Sequence, residues 1–259
     1  MSFLGTVPAV PTGPVDDDHG LARTIAVDVA GLLLDVRATY ADAPARALRS
    51  AGDRQAHERI VSLLAGARPD DAVLSEEGDD DLVRLGHRRV WIVDPLDGTR
   101  EFGELERTDW AVHVALVVDG VARAGAVALP AQDLVFATDD PPVVPPVADR
   151  RLRVVTSRQW IPTAAYAIAQ HLGADLLSMG SAGAKAMAVV RGDADVYAHA
   201  HGMYEWDSAA PIAVAASAGL HVSRVDGQPL RYNRSDPWLP DILVCRPELA
   251  DACIHALGF

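Results

Sequence analysis

Arg89-Val90-Trp91-Ile92-Val93 reads as a buried apolar strand, and it runs without a spacer into Asp94-Pro95-Leu96-Asp97-Gly98-Thr99. An ordinary turn would be satisfied by Asp97-Gly98 alone. A strand that ends instead on two carboxylates, a proline, a glycine and a threonine must do more than change direction. Pro95 fixes its own φ and suits a tight turn that presents both carboxylates to one point, with the Leu96 carbonyl between them. Carboxylates crowded in this way repel one another without a cation, and hard oxygen ligands suit Mg²⁺.

The rest of the chain divides around a proline-rich stretch. The opening fifteen residues, MSFLGTVPAVPTGPV, lack the basic start of a secretory signal and carry three prolines, so residues 1–18 are expected to be a loose tail. Residues 19–140 read as an α+β domain. Leu21, Ile25, Val29, Leu32 and Val36 recur at helical spacing, and a second helix is expected from about Asp53 to Ala67. Two buried strands follow, in DDAVLSEE and RRVWIVDP, then a β-meander from Trp110 to Thr138. The segment DDPPVVPPVAD has four prolines and no periodicity, which makes 141–150 a linker. Residues 151–259 then alternate strand and helix, the pattern of an α/β domain. Helices are expected near 162–172, 182–191 and 208–218, with a hairpin in LHVSRVDGQPLRYN and a last strand in DILVC.

Composition narrows the function. A formal charge of −13 and the absence of a basic stripe argue against a nucleic-acid polymer as partner. No apolar run reaches the length of a membrane span, and a cytoplasmic address is expected. Cys245 and Cys253 form no CxxC pair and could not staple a chain of this size. The acidity has a bland explanation in solubility and a specific one in carboxylates gathered to hold cations. Position favours the second, because Asp53, Glu76, Glu77, Asp94, Asp97 and Asp207 stand where strands or helices end. Singly each is ordinary: Asp53 and Asp207 as helix N-caps, Glu76-Glu77 as surface charge, Asp97-Gly98 as a turn. No His-rich cluster, GxSxG elbow or P-loop offers a competing chemistry.

Taken together, LSEE, WIVDPLDGTREF and EWDSAAP resemble the three ordered signatures of the lithium-sensitive, magnesium-dependent inositol monophosphatase superfamily, over nearly everything from Leu21 to Val244. Within it, GSAGAKAMAVVRGDADVY, EWDSAAP and DGQPLRYN look most like the CysQ-type 3′(2′),5′-bisphosphate nucleotidases, in their actinobacterial form. The resemblance implies a layered αβαβα sandwich, a homodimer, and removal of the 3′-phosphate from adenosine 3′,5′-bisphosphate (PAP). It implies that Glu76, Asp94 and the Leu96 carbonyl hold one Mg²⁺ and that Asp94, Asp97 and Asp207 hold a second. A third, weaker ion would lie near Glu76 and its activated water. Gly98 and Thr99 would bind phosphate through their N–H groups at a helix start, and Thr99 with Asp53 would orient the attacking water. Ser181, Lys185, His199 and Asp207 would meet the substrate.

This chain departs from the pattern in several places. Arg49 and Ser50 replace the loop expected ahead of Asp53, Pro211 falls near the fourth position of its helix, and Ser181 and Lys185 are one residue further apart than usual. His199 stands where nucleotidases often carry Arg, and Ala200 where an inositol-contacting Glu is expected. The alternatives to a PAP phosphatase are an inositol monophosphatase, with or without activity on fructose 1,6-bisphosphate, and a catalytically silent metal-binding protein.

Overall fold

The structure is a computed structural model that describes residues 17–80, 82–147, 149–159 and 162–259. Helix α1 (Asp18–Thr39) starts where the Asp17 carboxylate accepts the His19 N–H, and Leu21, Ile25, Val29, Leu33 and Val36 form its buried stripe. The tail expected over 1–18 is therefore shorter at its C-terminal end: Asp17 caps α1, and Asp18 in its first turn pairs with Arg68 and Arg89. The remainder of that tail lies outside the described residues. Helix α2 (Ala45–Ala67) begins at Ala45, not near Asp53. Gly52 sits inside α2, where a Cβ would lie 2.7 Å from the Phe102 ring and 3.0 Å from Leu96. The glycine allows close packing, and Asp53 is an interior helix residue with no capping role.

Strands β1 (Ala72–Ser75) and β2 (Arg89–Asp97) run parallel, and a one-turn helix α3 (Thr99–Phe102) follows β2. β3 (Ala111–Val118), β4 (Val121–Leu129) and β5 (Leu134–Ala137) add the antiparallel meander, giving the order β1-β2-β3-β4-β5. Residues 141–147 form neither helix nor strand. Beyond them come β6 (Arg153–Ser157), α4 (Thr163–Leu172), β7 (Asp175–Met179), α5 (Ala182–Val190), β8 (Val196–His199) and β9 (Met203–Tyr204). The chain closes with α6 (Glu205–Ser217), β10 (His221–Ser223), β11 (Trp238–Leu239), β12 (Ile242–Cys245) and α7 (Ala250–Ala256). The second sheet has the order β10-β12-β8-β6-β7 and is mixed: β7, β6 and β8 are parallel, while β12 and β10 are antiparallel additions.

The hairpin expected in LHVSRVDGQPLRYN does not form as a strand pair. A turn closes through the Arg224 N–H on the Gln228 carbonyl, Pro229 offers no donor to extend a ladder, and β10 pairs with β12 instead. Helix α6 starts at Glu205, ahead of the position expected, so Asp207 is its third residue and Pro211 lies well inside it.

The layers follow from which faces are apolar. Helices α1 and α2 cover one face of the first sheet, α5 and α6 fill the space between the sheets, and α4 and α7 cover the far face of the second. This is an αβαβα sandwich. Because α6 is enclosed by both sheets it is apolar nearly all round, with Ala209, Ala210, Ile212, Ala213, Val214 and Ala215 buried. At Gly125 of β4 a Cβ would meet the Ala213 methyl at 3.0 Å, so small residues on both sides set the close spacing. Among the described residues no helix is long and apolar enough to cross a membrane.

One buried charge ties the segment after the proline-rich stretch to the second sheet. Asp195, wholly buried, accepts hydrogen bonds from the Arg150 and Arg246 guanidinium groups and from the Arg153 N–H. Burial raises its proton affinity, but these donors outweigh burial and hold the carboxyl below its usual range. Removing the anion leaves buried Arg246 uncompensated, and Asp195→Ala is expected to cost about 3–5 kcal/mol of unfolding free energy, measured by urea denaturation.

Candidate active site

Two carboxylates three residues apart on a regular strand would point to opposite faces of the sheet. In β2 the register against β3 shifts between Asp94 and Asp97, at Pro95 and Leu96, and this irregularity turns both side chains toward one point. Asp207, from the first turn of α6, completes a group whose ligand oxygens all lie within 4.8 Å of one another. The Asp207 carboxylate also accepts the Tyr204 N–H at 2.7 Å, so the helix start fixes its direction. Glu76 stands beside this trio rather than within it. It follows β1, which pairs with β2 through Ser75 and Val93, and its N–H donates to the Val93 carbonyl at 3.3 Å. Its carboxyl is near enough to Asp94 to share a hydrogen bond.

Electrostatics set these carboxyls apart. Asp94 is only 1 % exposed, and burial followed by the charges of Glu76, Asp97 and Asp207 pushes it far above the ordinary carboxylate range. Burial and then Asp97 push Asp207 up to about 7, and burial raises Glu76. Asp97 goes the other way. Burial opposes its ionisation, but His113, Lys185 and the Ser181 hydroxyl outweigh it and hold the group below the usual range. Two donors converge on its Oδ2, Ser181 Oγ at 2.5 Å and Gly183 N–H at 2.7 Å, and His113 Nε2 makes an ion-pair contact with the same oxygen at 3.2 Å. A firmly ionised Asp97 among proton-retaining neighbours, all hard oxygen donors, fits a divalent cation.

Next to this group, Gly98 adopts φ +85°, and a Cβ there would lie 3.2 Å from the Cβ atoms of Ser181 and Trp110. Only glycine lets the turn pass at this distance. Thr99 opens α3, a single turn whose aligned dipole is small, so the N–H groups themselves are what the turn offers. The Thr99 hydroxyl faces two acceptors, the Leu96 carbonyl at 3.0 Å and Asp53 Oδ1 at 3.3 Å. Burial and the Glu77 charge push Asp53 up to about 6.

A cavity of about 350 Å³ opens from Asp97 and Asp207 and is lined further by Ser157, Ser181, Lys185, Tyr197, His199, Gly202, Tyr204 and Trp238. Ser181 caps α5 from a left-handed backbone (φ 48°), accepts the Ala184 N–H and donates to Asp97, so its hydroxyl serves a neighbouring carboxylate first. Lys185, which sequence alone could place on a solvated helix face, is buried. Its Nζ donates to the Gly180 and Ser181 carbonyls, and burial lowers its pKa. The His199 ring bonds the Gly202 carbonyl through Nε2 at 2.8 Å, and burial lowers its pKa. Sequence reasoning missed His113, Tyr204 and Trp238. His113 is the one ionisable side chain in an otherwise apolar strand, which was a usable signal; the two aromatics gave none, being brought together by β9–β11 pairing.

Comparison with known proteins identifies the family of the chain. The inositol monophosphatase family profile matches residues 24–143 and 146–257. The chain is 49% identical over 249 residues, 90% of each protein, to the 3′-phosphoadenosine 5′-phosphate phosphatase of Mycobacterium leprae. It is 33% identical over 202 residues, 73% of this chain and 81% of the relative, to the 3′(2′),5′-bisphosphate nucleotidase CysQ of Escherichia coli. Among solved structures, CysQ from Bacteroides thetaiotaomicron superposes with a TM-score of 0.75 at 28% identity, covering 88% of this chain and 97% of the other. With this agreement between profile, relatives, fold and carboxylate group, the chain belongs to the inositol monophosphatase family.

Proposed function

We propose that this protein is a Mg²⁺-dependent phosphomonoester hydrolase that removes the 3′-phosphate of PAP, and of its sulfated form PAPS. The observation that carries the reading is the single cavity that joins the carboxylate group to a buried lysine and an aromatic wall. A bisphosphate nucleotide has a reacting phosphate, a second phosphate and a flat base, and the cavity offers a partner for each. Lys185 uses two of its three N–H bonds on backbone carbonyls, leaving the third for the second phosphate. Tyr204 and Trp238, 43% and 42% exposed, present ring surface at the mouth. The curated relatives named for PAP and bisphosphate nucleotide hydrolysis support the same substrate class. Against inositol phosphates, Ala200 supplies no oxygen where the family resemblance expects a glutamate. Assembly as a homodimer rests on the resemblance alone.

Glu76, Asp94, the Leu96 carbonyl, Asp97 and Asp207 would hold two Mg²⁺ ions, with a third beside Glu76. The ions would supply positive charge that acidifies a water and neutralises the ester oxygen as it leaves. The chain's own groups do the positioning. The N–H groups of Gly98 and Thr99 bind the phosphate oxygens. Thr99 donates its hydroxyl proton to Asp53 and accepts from the attacking water. Asp53, near pKa 6, is poised to take up a proton close to neutral pH. Water oxygen bonds to phosphorus as one water proton passes through Thr99 to Asp53, the bond from phosphorus to the 3′ oxygen breaks, and that oxygen takes a proton from solvent, so that PAP yields AMP and inorganic phosphate.

Phosphate release tests the reading directly. PAP should turn over with Mg²⁺ and not with EDTA, and faster than inositol 1-phosphate by kcat/KM; the reverse ranking would favour an inositol monophosphatase, and silence with every ester a metal-binding protein.

Metal removal should also leave a pH signature. Asp207 holds a proton in the metal-free native state that the unfolded chain has already shed, so native protein binds more protons and stability falls as pH rises through about 7. In EDTA, Tm should therefore increase on going from pH 8 to pH 6; Mg²⁺ should flatten this trend, and so should Asp207→Asn. A Tm in EDTA that rises with pH would contradict the assignment.

Lys185→Ala should lower kcat/KM for PAP by about 1.5–3 kcal/mol, the range for a hydrogen bond to a charged group. Inositol 1-phosphate, with only the reacting phosphate, should lose less. Equal losses on the two substrates would assign Lys185 to the support of Asp97 rather than to the nucleotide.

A further inference from the structure

We infer that His113 is a positioning residue that fixes the carboxylate of one candidate metal ligand, Asp97. The inference rests on the metal-dependent reading above.

His113 lies in the middle of β3, opposite Asp94 in the ladder, and is fully buried among valines and alanines. A valine or leucine would fill such a place without the cost of burying two ring nitrogens. Both nitrogens face oxygen acceptors. Nδ1 is 3.1 Å from the Trp206 carbonyl, in the first turn of α6 next to Asp207. Nε2 is 3.2 Å from Asp97 Oδ2, an ion-pair contact that is slanted away from ideal hydrogen-bond alignment. One imidazole thus bridges the end of β2 and the start of α6, the two elements that carry Asp97 and Asp207.

The neighbouring helix is shaped around this contact. A Cβ on Gly183 of α5 would lie 2.0 Å from His113 Nε2, so no other residue fits there while the imidazole stays in place. The Gly183 N–H itself donates to the same Asp97 Oδ2. With Ser181, Gly183 and His113 all around Oδ2, the carboxylate cannot rotate freely. Outer partners of this kind orient metal ligands, and their loss typically lowers metal affinity about 10–100-fold.

The test uses two amide variants. The Gln amide nitrogen in His113→Gln can occupy the place of Nε2 and reach Asp97, whereas that of His113→Asn occupies the place of Nδ1 and reaches only Trp206. Mg²⁺ affinity is measured on substrate-free protein by calorimetry, and Tm in EDTA is measured alongside. His113→Asn should weaken Mg²⁺ binding about 10–100-fold. His113→Gln should stay within a few-fold of wild type, and the two should have similar Tm in EDTA. The inference is overturned if the Asn variant binds Mg²⁺ like wild type, if both variants weaken alike in step with a loss of Tm, or if neither folds. Because no substrate is present, the outcome is separate from the substrate assignment: the Gln–Asn split with no hydrolysis of PAP would sink the proposed activity and leave His113 in its role. PAP hydrolysis without the split would do the opposite.

Discussion

Mutual repulsion among Asp94, Asp97 and Asp207 is the constraint that the rest of the structure has to accommodate. Two like charges about 4 Å apart repel by about 4 kcal/mol at the effective dielectric typical of proteins. A whole domain is stable by only about 5–15 kcal/mol, so three ionised carboxylates at this spacing would consume a large share of it. The surroundings answer by treating the three differently. His113, Lys185 and Ser181 lower the proton affinity of Asp97, while burial and like charge raise that of Asp94 and Asp207. Ionising all three together is therefore costly unless a positive charge stands among them.

Each layer of the sandwich contributes one part of that arrangement. The first sheet supplies Asp94 and Asp97 at an irregular strand end, the central helices supply Asp207 and the donors of α5, and α2 brings Asp53 up to Thr99. Close approach between layers depends on missing side chains. Gly52 lets α2 meet Phe102 and Leu96, and Gly183 lets α5 meet His113. A single β-carbon at either place would push a layer outward and spread oxygens that must stay within a few ångströms.

The substrate end of the cavity follows a different logic. Lys185 is buried and already bonded to two carbonyls, so its position is set before a ligand arrives and little ordering remains to be done on binding. Tyr204 stacks on Trp206 and meets Trp238 edge-on, which holds the exposed rings in place. In the proposed function the carboxylates and the lysine and aromatic groups share one cavity, the carboxylates on β2 and α6, the lysine on α5 and the aromatic rings on β9 and β11.

Much of this was readable from the chain. The α1 stripe, the meander and the later alternation of strand and helix each have a hydrophobic period that local sequence carries, and WIVDPLDGTR and EWDSAAP announce their carboxylates by crowding them at element ends. Where local signals misled, a tertiary contact had overridden them. Asp53 looked like a helix start because aspartate is a common cap, but it lies inside α2, and Gly52 beside it answers to Phe102 on another element. Lys185 could be placed on a solvated face because its helix neighbours do not reveal that two sheets close over it. The roles of His113, Gly183 and Ser181 depend on Asp97, which is between 16 and 86 residues away along the chain. Residue types and periodicity determined the elements and the candidate ligands; only packing decided which oxygen of Asp97 is held, because no local pattern records what lies across a layer.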